Sequence, residues 1–397
     1  MSSLEKKRKI NTTKKESEPE PSSQSTPNSS LPDDVLLSCF ARVSKLYYPT
    51  LSLVSKRFRS LLTSPEFDKA RSLLGHTESC LYVCMECYQR SRWYTLCRKP
   101  NQTLTCDTSE GKKKKKKKKN KSSGYVLARV PIPCSPRSHF QGLVAVGSNI
   151  YNIEEGSSKV SILDCRSHTW GEAPSLPLKL ASFSASVLDG NIYVAGGDAS
   201  DILKNNLEVF DTETQTWDLK TIPYIDHHPH SPMFFNYPGS ACIDGKFHVM
   251  KTRTEGVAYN SKESRWDLSA PNMGNYMVGD SYCVIENVLY SAMHGVFRWY
   301  DSGLREWKRL MGLEGLPNFP FRSCVRLADY GGKLVVLWEG DVFYLRHGGG
   351  YNKIWCAEIA LERRQREREI SGKVEWFDHV LTVESCDLVK VLAVTLS

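Results

Sequence analysis

A mainly β fold, a six-bladed propeller preceded by a small three-helix module, is what the 397-residue sequence predicts, on three observations. First, an acidic or amide residue stands six positions before a tryptophan four times over: Asp164 and Trp170, Asp211 and Trp217, Asn260 and Trp266, Asp301 and Trp307. Second, each pair is flanked by β-prone segments, and these tryptophans recur every 41 to 49 residues, the length of one four-stranded unit. Such a unit cannot bury both of its faces alone and has to stack on its neighbours. Third, apolar residues between positions 31 and 75 follow a helical spacing that stands outside the repeat.

Taken in order, residues 1–30 are rich in Ser, Pro, Lys and Glu and contain no aromatic residue, so they are expected to remain a disordered tail. Within them Lys6-Lys7-Arg8-Lys9 fits a nuclear import signal as well as it fits an ordinary basic tail. Order should begin at Leu31. Pro32 suits the first helical position, and Asp33 and Asp34 complement the positive end of the helix dipole. Val35, Leu36, Cys39, Phe40 and Val43 then share one helical face. A second periodic segment after Pro49 carries Leu51, Val54, Phe58, Leu61 and Leu62. Ser64-Pro65-Glu66 opens a third helix that should stop at Gly75. A unit this small needs a partner or a docking surface for stability.

Residues 31–67, LPDDVLLSCFARVSKLYYPTLSLVSKRFRSLLTSPEF, resemble an F-box of the plant F-box/kelch type, through Leu31-Pro32-Asp33-Asp34, Leu36, Arg42-Val43, Leu51-Ser52-Leu53-Val54-Ser55-Lys56 and Phe58. In that family the module binds a Skp-type adaptor, which bridges to a cullin ubiquitin ligase. The resemblance implies that Leu31, Pro32, Leu36, Leu51 and Val54 contribute to an adaptor-facing apolar surface. The same residues also serve as the core of a helical hairpin, and the sequence does not apportion the two roles.

Residues 80–397 make up the propeller. Leu81-Tyr82-Val83-Cys84 and the strand through Trp93 match the third and fourth strands of a blade whose first two are missing. Residues 388–396 near the other end can supply them, as two short strands or one long one, and a blade built from both ends removes exposed sheet edges. Counting Trp93, Trp170, Trp217, Trp266, Trp307 and Trp376 gives six blades. Residues 181–223 hold the clearest unit: two apolar runs meet at Asp189-Gly190, a hairpin turn in which both residues tolerate positive φ. With Gly196-Gly197, the acidic turn and Trp217, this unit resembles a kelch repeat, in which the paired glycines end the second strand where a side chain would clash with the next blade. Elsewhere Tyr151-Asn152-Ile153, His248-Val249-Met250 and Tyr290-Ser291-Ala292 replace that strand.

Two intervals overrun the period, and insertions in repeat folds map to loops. One, near 108–124, holds the lysine run at 112–119; the other, near 360–372, holds Glu and Arg with interleaved signs and reads as a solvated loop or helical turn. The lysine run with Lys121 carries nine of the net +9 charges, which leaves the remainder neutral. The basicity is therefore local, and nucleic acid is an unexpected partner. Thirteen scattered cysteines without a signal peptide predict no disulfide framework and a reducing, intracellular location, nucleus or cytoplasm. No apolar run reaches the roughly 18 residues of a membrane span.

Chemical sites are few. Cys80, Cys84, Cys87, Cys97 and Cys106 include one C-x2-C pair without a second, weak support for zinc, and His227, His228 and His230 crowd a Pro-rich connection. No phosphate loop, dinucleotide fingerprint or hydrolase motif occurs, so no catalytic residue, metal or cofactor is assigned. Three functions remain: a ubiquitin-ligase substrate receptor whose propeller captures an unidentified protein, a kelch scaffold independent of ligases, and an oxidase with a Tyr, His and Cys copper site, which the scattered cysteines and histidines disfavour.

Overall fold

The computed structural model describes residues 31–75, 77–99, 123–198, 205–223, 239–319, 323–340, 343–344, 350–364, 369–384 and 386–396. Six sheets form the blades of a propeller, and their innermost strands touch in succession around a closed ring. Blades two to five each use four consecutive strands; blade three, for example, runs Leu180–Leu188, Asn191–Asp198, Asn205–Asp211 and Thr216–Thr221.

The recurring six-residue interval has a local cause. In all four units the acidic or amide side chain folds back on the turn between the third and fourth strands: Asp211 Oδ1 accepts from the N–H groups of Glu213 and Thr214, and Asn260 and Asp301 repeat this with the residues two and three positions on. The residue four positions on, His168, Gln215, Ser264 or Arg305, then takes a left-handed conformation with φ between 49° and 59°. Two residues later the tryptophan lies directly across from Leu163, Phe210, Tyr259 or Tyr300, and the pair packs into the gap between blades.

Asp189 and Gly190 both adopt positive φ, 50° and 80°, as the two-residue turn requires. The clash at Gly196 is real but lies elsewhere than expected. A Cβ there would stand 2.5 Å from Ser182 O and 2.6 Å from Phe183 Cβ, both on the first strand of the same blade, not on the next one. That close approach sits beside a register shift at Leu180/Ser182.

Blade one is built from both ends of the described chain, in a different split from the one expected. Its order is Cys386–Leu396, Glu78–Cys87, Arg90–Arg98 and Tyr125–Val130, so the late segment supplies a single long innermost strand and the early segment supplies three. The strand through Leu81 is thus second and the one through Trp93 third. Trp93 pairs with Val130 on a fourth strand that the sequence places beyond the lysine run. Its indole packs near Trp170, with 6.1 Å between ring centroids.

Cys87 and Cys386 sit opposite one another in this closing pair and form a disulfide, against the expectation of none. They are 299 residues apart, and only ring closure brings them together. Reduction of this bond, or Cys386→Ala, is expected to destabilise the propeller by about 2–4 kcal/mol, because the cross-link restricts a very long loop in the unfolded chain. Calorimetry with and without a thiol reductant checks this: the melting temperature should drop by several degrees, and identical values would contradict it.

The second insertion is not a loop. The third and fourth strands of blade six, Gly350–Arg364 and Glu369–Glu384, continue past the blade as a ribbon paired out to Arg364 and Glu369. The ribbon leans on blade five, where Gly372 N–H donates to Met311 O (2.7 Å) and Arg363 reaches Glu286.

Strand direction defines two faces. Turns joining first to second and third to fourth strands lie on what we call the lower face; second-to-third connections and links between blades lie on the upper face. The third and fourth strands of blade one, Arg90–Arg98 and Tyr125–Val130, flank the first insertion, and the ends that face it, Arg98 and Tyr125, lie on the lower face. Its base is closed by Lys99 N–H to Gly124 O (2.8 Å) and by Ser123 on Asp378, while the lysine run itself lies outside the described residues. Deleting residues 112–119 is expected to change stability by less than about 0.5 kcal/mol, as for other surface changes. A drop of many degrees in thermal melting would show that the run packs on the fold.

Candidate functional site

The helical module contains four α-helices, not three: α1 Asp33–Ala41, α2 Tyr48–Val54, α3 Lys56–Leu62 and α4 Pro65–Leu73. The second periodic segment is broken at Ser55, which is extended (φ −159°, ψ 162°) and whose hydroxyl caps α3 by accepting from Phe58 N–H. Pro32 stands one position earlier than expected, at the N-cap of α1. As predicted, the last helix ends just before Gly75, which has a positive φ of 64°. Leu36, Phe40, Ala41 and Phe67 form the core, with Leu51, Phe58, Leu61 and Leu62 packed against it.

This core divides the five residues singled out from the sequence. Leu31 and Val54 are exposed at 55% and 62%, Pro32 is exposed, Leu51 is half-buried, and Leu36 is buried. Leu36 is corrected accordingly: it supports the surface from beneath and offers nothing to a partner. Val35 and Leu53 are exposed apolar residues on the same two helices and were not singled out, although Leu53 falls within the matched motif. Arg57 ties these parts together, because its guanidinium pairs with Asp33 (2.6 Å) and donates to Leu31 O (2.5 Å). The start of α1 is thereby fixed beside the junction of α2 and α3. With Leu73 and Leu74 at the end of α4, six exposed aliphatic side chains on so small a unit are a signature of an interaction surface.

The module is anchored to the lower face through Glu78, the first residue of blade one. The Glu78 carboxylate accepts from Ser44 Oγ, from Lys45 N–H (2.8 Å) and from Arg71 Nη2 (3.4 Å). Arg71 is 2% exposed and also donates to Val43 O (3.1 Å) and to the Tyr48 hydroxyl. Burial pushes the Tyr48 phenol up to about 12, with Arg71 pulling the other way, so Tyr48 stays neutral. Nothing in the sequence marked Glu78, because its partners lie 7 to 34 residues away on different elements.

The propeller's central channel opens on the upper face, at the opposite end. Its wall includes Ser184, Ser240, Tyr282 and Lys390, from the innermost strands of blades three, four, five and one. Among the described residues no three His, Cys, Asp or Glu gather as metal ligands would. Burial pushes the Cys84 and Cys97 thiols up to about 12, and Cys87 is held in its disulfide. Cys106 and the histidines at 227, 228 and 230 lie outside the described residues. No helix among the described residues is long and apolar enough to cross a membrane.

The family models divide the chain along the same lines. Residues 28–70 match the F-box domain, and residues 93–381 match the FKB95, Kelch-repeats domain. The chain belongs to the F-box/kelch-repeat family. It is 56% identical over 370 residues to the F-box/kelch-repeat protein At5g51250 of Arabidopsis thaliana, covering 89% of this chain and 96% of that one. The Arabidopsis F-box/kelch-repeat proteins At4g39550 and At3g08810 are 52% and 50% identical, across 96% and 95% of this chain and 96% of each relative. The exposed aliphatic surface therefore belongs to an F-box, and the channel to a kelch-type propeller.

Proposed function

We propose that the chain is the substrate-recognition subunit of an SCF-type cullin ubiquitin ligase. The F-box binds a Skp-type adaptor, which bridges to the cullin, and the propeller binds the protein to be modified. The observation that carries this is the exposed set Leu31, Val35, Leu53 and Val54 on a module bonded through Glu78 to the lower face, with the channel mouth on the upper one. Adaptor and target then meet opposite ends of one body. Leu31, Pro32 and Val54 make the adaptor contact, with Leu51 at its margin.

In this role the chain makes and breaks no bond. It supplies proximity, which converts an encounter between ligase and target into a reaction within one assembly. The place of work is intracellular, where cullin ligases operate. Co-expression of the full chain with a Skp-type adaptor and a cullin tests the reading. Both should purify with the full chain and be lost when residues 31–75 are removed; equal recovery with the shortened chain would refute it.

A further inference from the structure

The disulfide sits where the closing strand enters the ring. Cys386 is the first residue of that strand and Cys87 the last of its partner, just before the turn at Tyr88 and Gln89, so the bond makes the final rung of the ladder on the upper face. A bulge at Val389 interrupts the pairing, which passes from Cys84 with Lys390 directly to Met85 with Leu388. Only three rungs lie beyond the bulge: Met85 with Leu388, Glu86 with Asp387 and Cys87 with Cys386. A short segment at the end of a strand is where a fold opens most readily.

Those three rungs form part of the rim of the channel mouth. Just past the bulge, Lys390 pairs with Asp280, which precedes the innermost strand of blade five and has Arg326 Nε at 4.0 Å; Lys390, Val391, Leu392 and Ala393 then line the channel, a cavity of about 860 Å3. On the rim itself Asn352 Nδ2 donates to Cys386 O (2.8 Å), Glu339 accepts from Leu388 N–H (2.7 Å), and Arg326 Nε donates to Val389 O (2.7 Å). These bonds tie the segment to blade six, whereas the disulfide pins its outer end to blade one. Cys87 and Cys386 are each 1% exposed, so a reductant reaches the sulfurs only when the rung opens. Among the described residues the ten other cysteines are free.

In an intracellular setting thiol pools keep cysteines reduced, and the disulfides that do form there are usually transient, catalytic or redox-sensing. We propose that Cys87 and Cys386 are a reversible redox site that latches the rim of the target-binding face, closed by glutathione disulfide and opened by glutathione thiol. This rests on the receptor reading, which supplies both the compartment and the role of the face. In opening, one glutathione thiolate attacks a sulfur of the bond and the other cysteine leaves as a thiolate. A second glutathione thiolate then displaces the first cysteine. Two cysteine thiols and one glutathione disulfide result, the two protons coming from the glutathione thiols, and closing is the reverse. The pair is 299 residues apart, so only the closed ring brings the sulfurs together. By linkage, the closed ring then favours the bond by the same factor that the bond favours the closed ring.

The test holds the full chain in buffers from mostly oxidised to almost wholly reduced glutathione. Free thiols are alkylated in denaturant and located by mass spectrometry, and hydrogen exchange is followed in parallel. The bond between Cys87 and Cys386 is expected to be lost in one transition within this range, with the propeller still folded. Amides of residues 386–389 should exchange at least tenfold faster in the reduced chain, and those of Asn191–Asp198 in blade three should not change. Cys386→Ser should behave as the reduced chain in every buffer, and Cys134→Ser, which removes an exposed free thiol, as the unmodified one. A bond that outlasts the most reducing buffer in the folded chain, a pair that stays reduced in the most oxidising one, or equal exchange in both states would overturn the proposal. Adaptor binding, at the opposite end of the molecule, should be the same in both states; its absence from both would count against the receptor reading and leave the redox transition standing.

Discussion

Removing residues 386–396 should abolish the closed propeller. This strand pairs with Glu78–Cys87 along its whole length, touches the innermost strands of blades six and two, and carries one half of the disulfide. It buries Cys386, Leu388, Val389, Val391, Leu392, Val394 and Leu396. At about 1.5–3 kcal/mol for each large apolar side chain, the loss reaches or exceeds the roughly 5–15 kcal/mol by which domains are stable at all. The strand left behind also exposes an unpaired ladder that invites aggregation. Hydrogen exchange is the readout. Amides around Tyr82 and Trp93 should lose protection in the truncated chain, and unchanged exchange there would mean that the ring does not close through this strand.

Leu31→Ser with Pro32→Ser should cost the chain its adaptor and nothing else. Truncating apolar anchors of an interface commonly costs about 2 kcal/mol or more, some thirtyfold in affinity. Neither residue is in the module's core, and the bonds to the propeller run through Ser44, Lys45, Arg71 and Glu78. Serine at position 32 is moreover a favourable N-cap, so α1 should persist. Leu36→Ser provides the contrast. Because Leu36 is buried, that change should unfold the module, visible as lost helical circular dichroism, whereas the double variant should keep both its helices and its propeller melting transition.

The legible parts of the fold were those written in local chemistry. An Asp or Asn that caps its own turn, followed by a left-handed residue and a tryptophan, is a motif the chain repeats in blades two to five; the count of six also drew on Trp93 and Trp376, which lack it. Asp189-Gly190 announced its hairpin for the same reason. Misread features depended on distant partners. Trp93 belongs to a third strand, and nothing near it says that a fourth begins at Tyr125, across a lysine run. The Cys87 and Cys386 pair exists only once the ring is closed. Glu362 to Arg364 read as solvated because they are charged, but they belong to a strand paired with Glu369 to Ser371, and its neighbour in blade five is invisible to periodicity.

The candidate surface was half legible for a related reason. The F-box motif located the helices and named Leu31, Pro32 and Val54, all of which the fold leaves exposed. Helical spacing alone did not separate Leu36, which faces inward, from Val35 beside it, because both fall on the apolar side of a short helix. Ser55 breaks what spacing joined, and that break turns Leu53 and Val54 outward at the end of α2. The channel charges went unread because Asp280, Arg326 and Lys390 come from three blades.

Titration of a purified Skp-type adaptor into the purified full-length chain, followed by calorimetry, tests the central claim most directly. A saturable one-to-one complex is predicted, weakened at least thirtyfold by Leu31→Ser with Pro32→Ser. No heat of binding from the unmodified chain, with its helices and propeller shown to be folded, would contradict the receptor account.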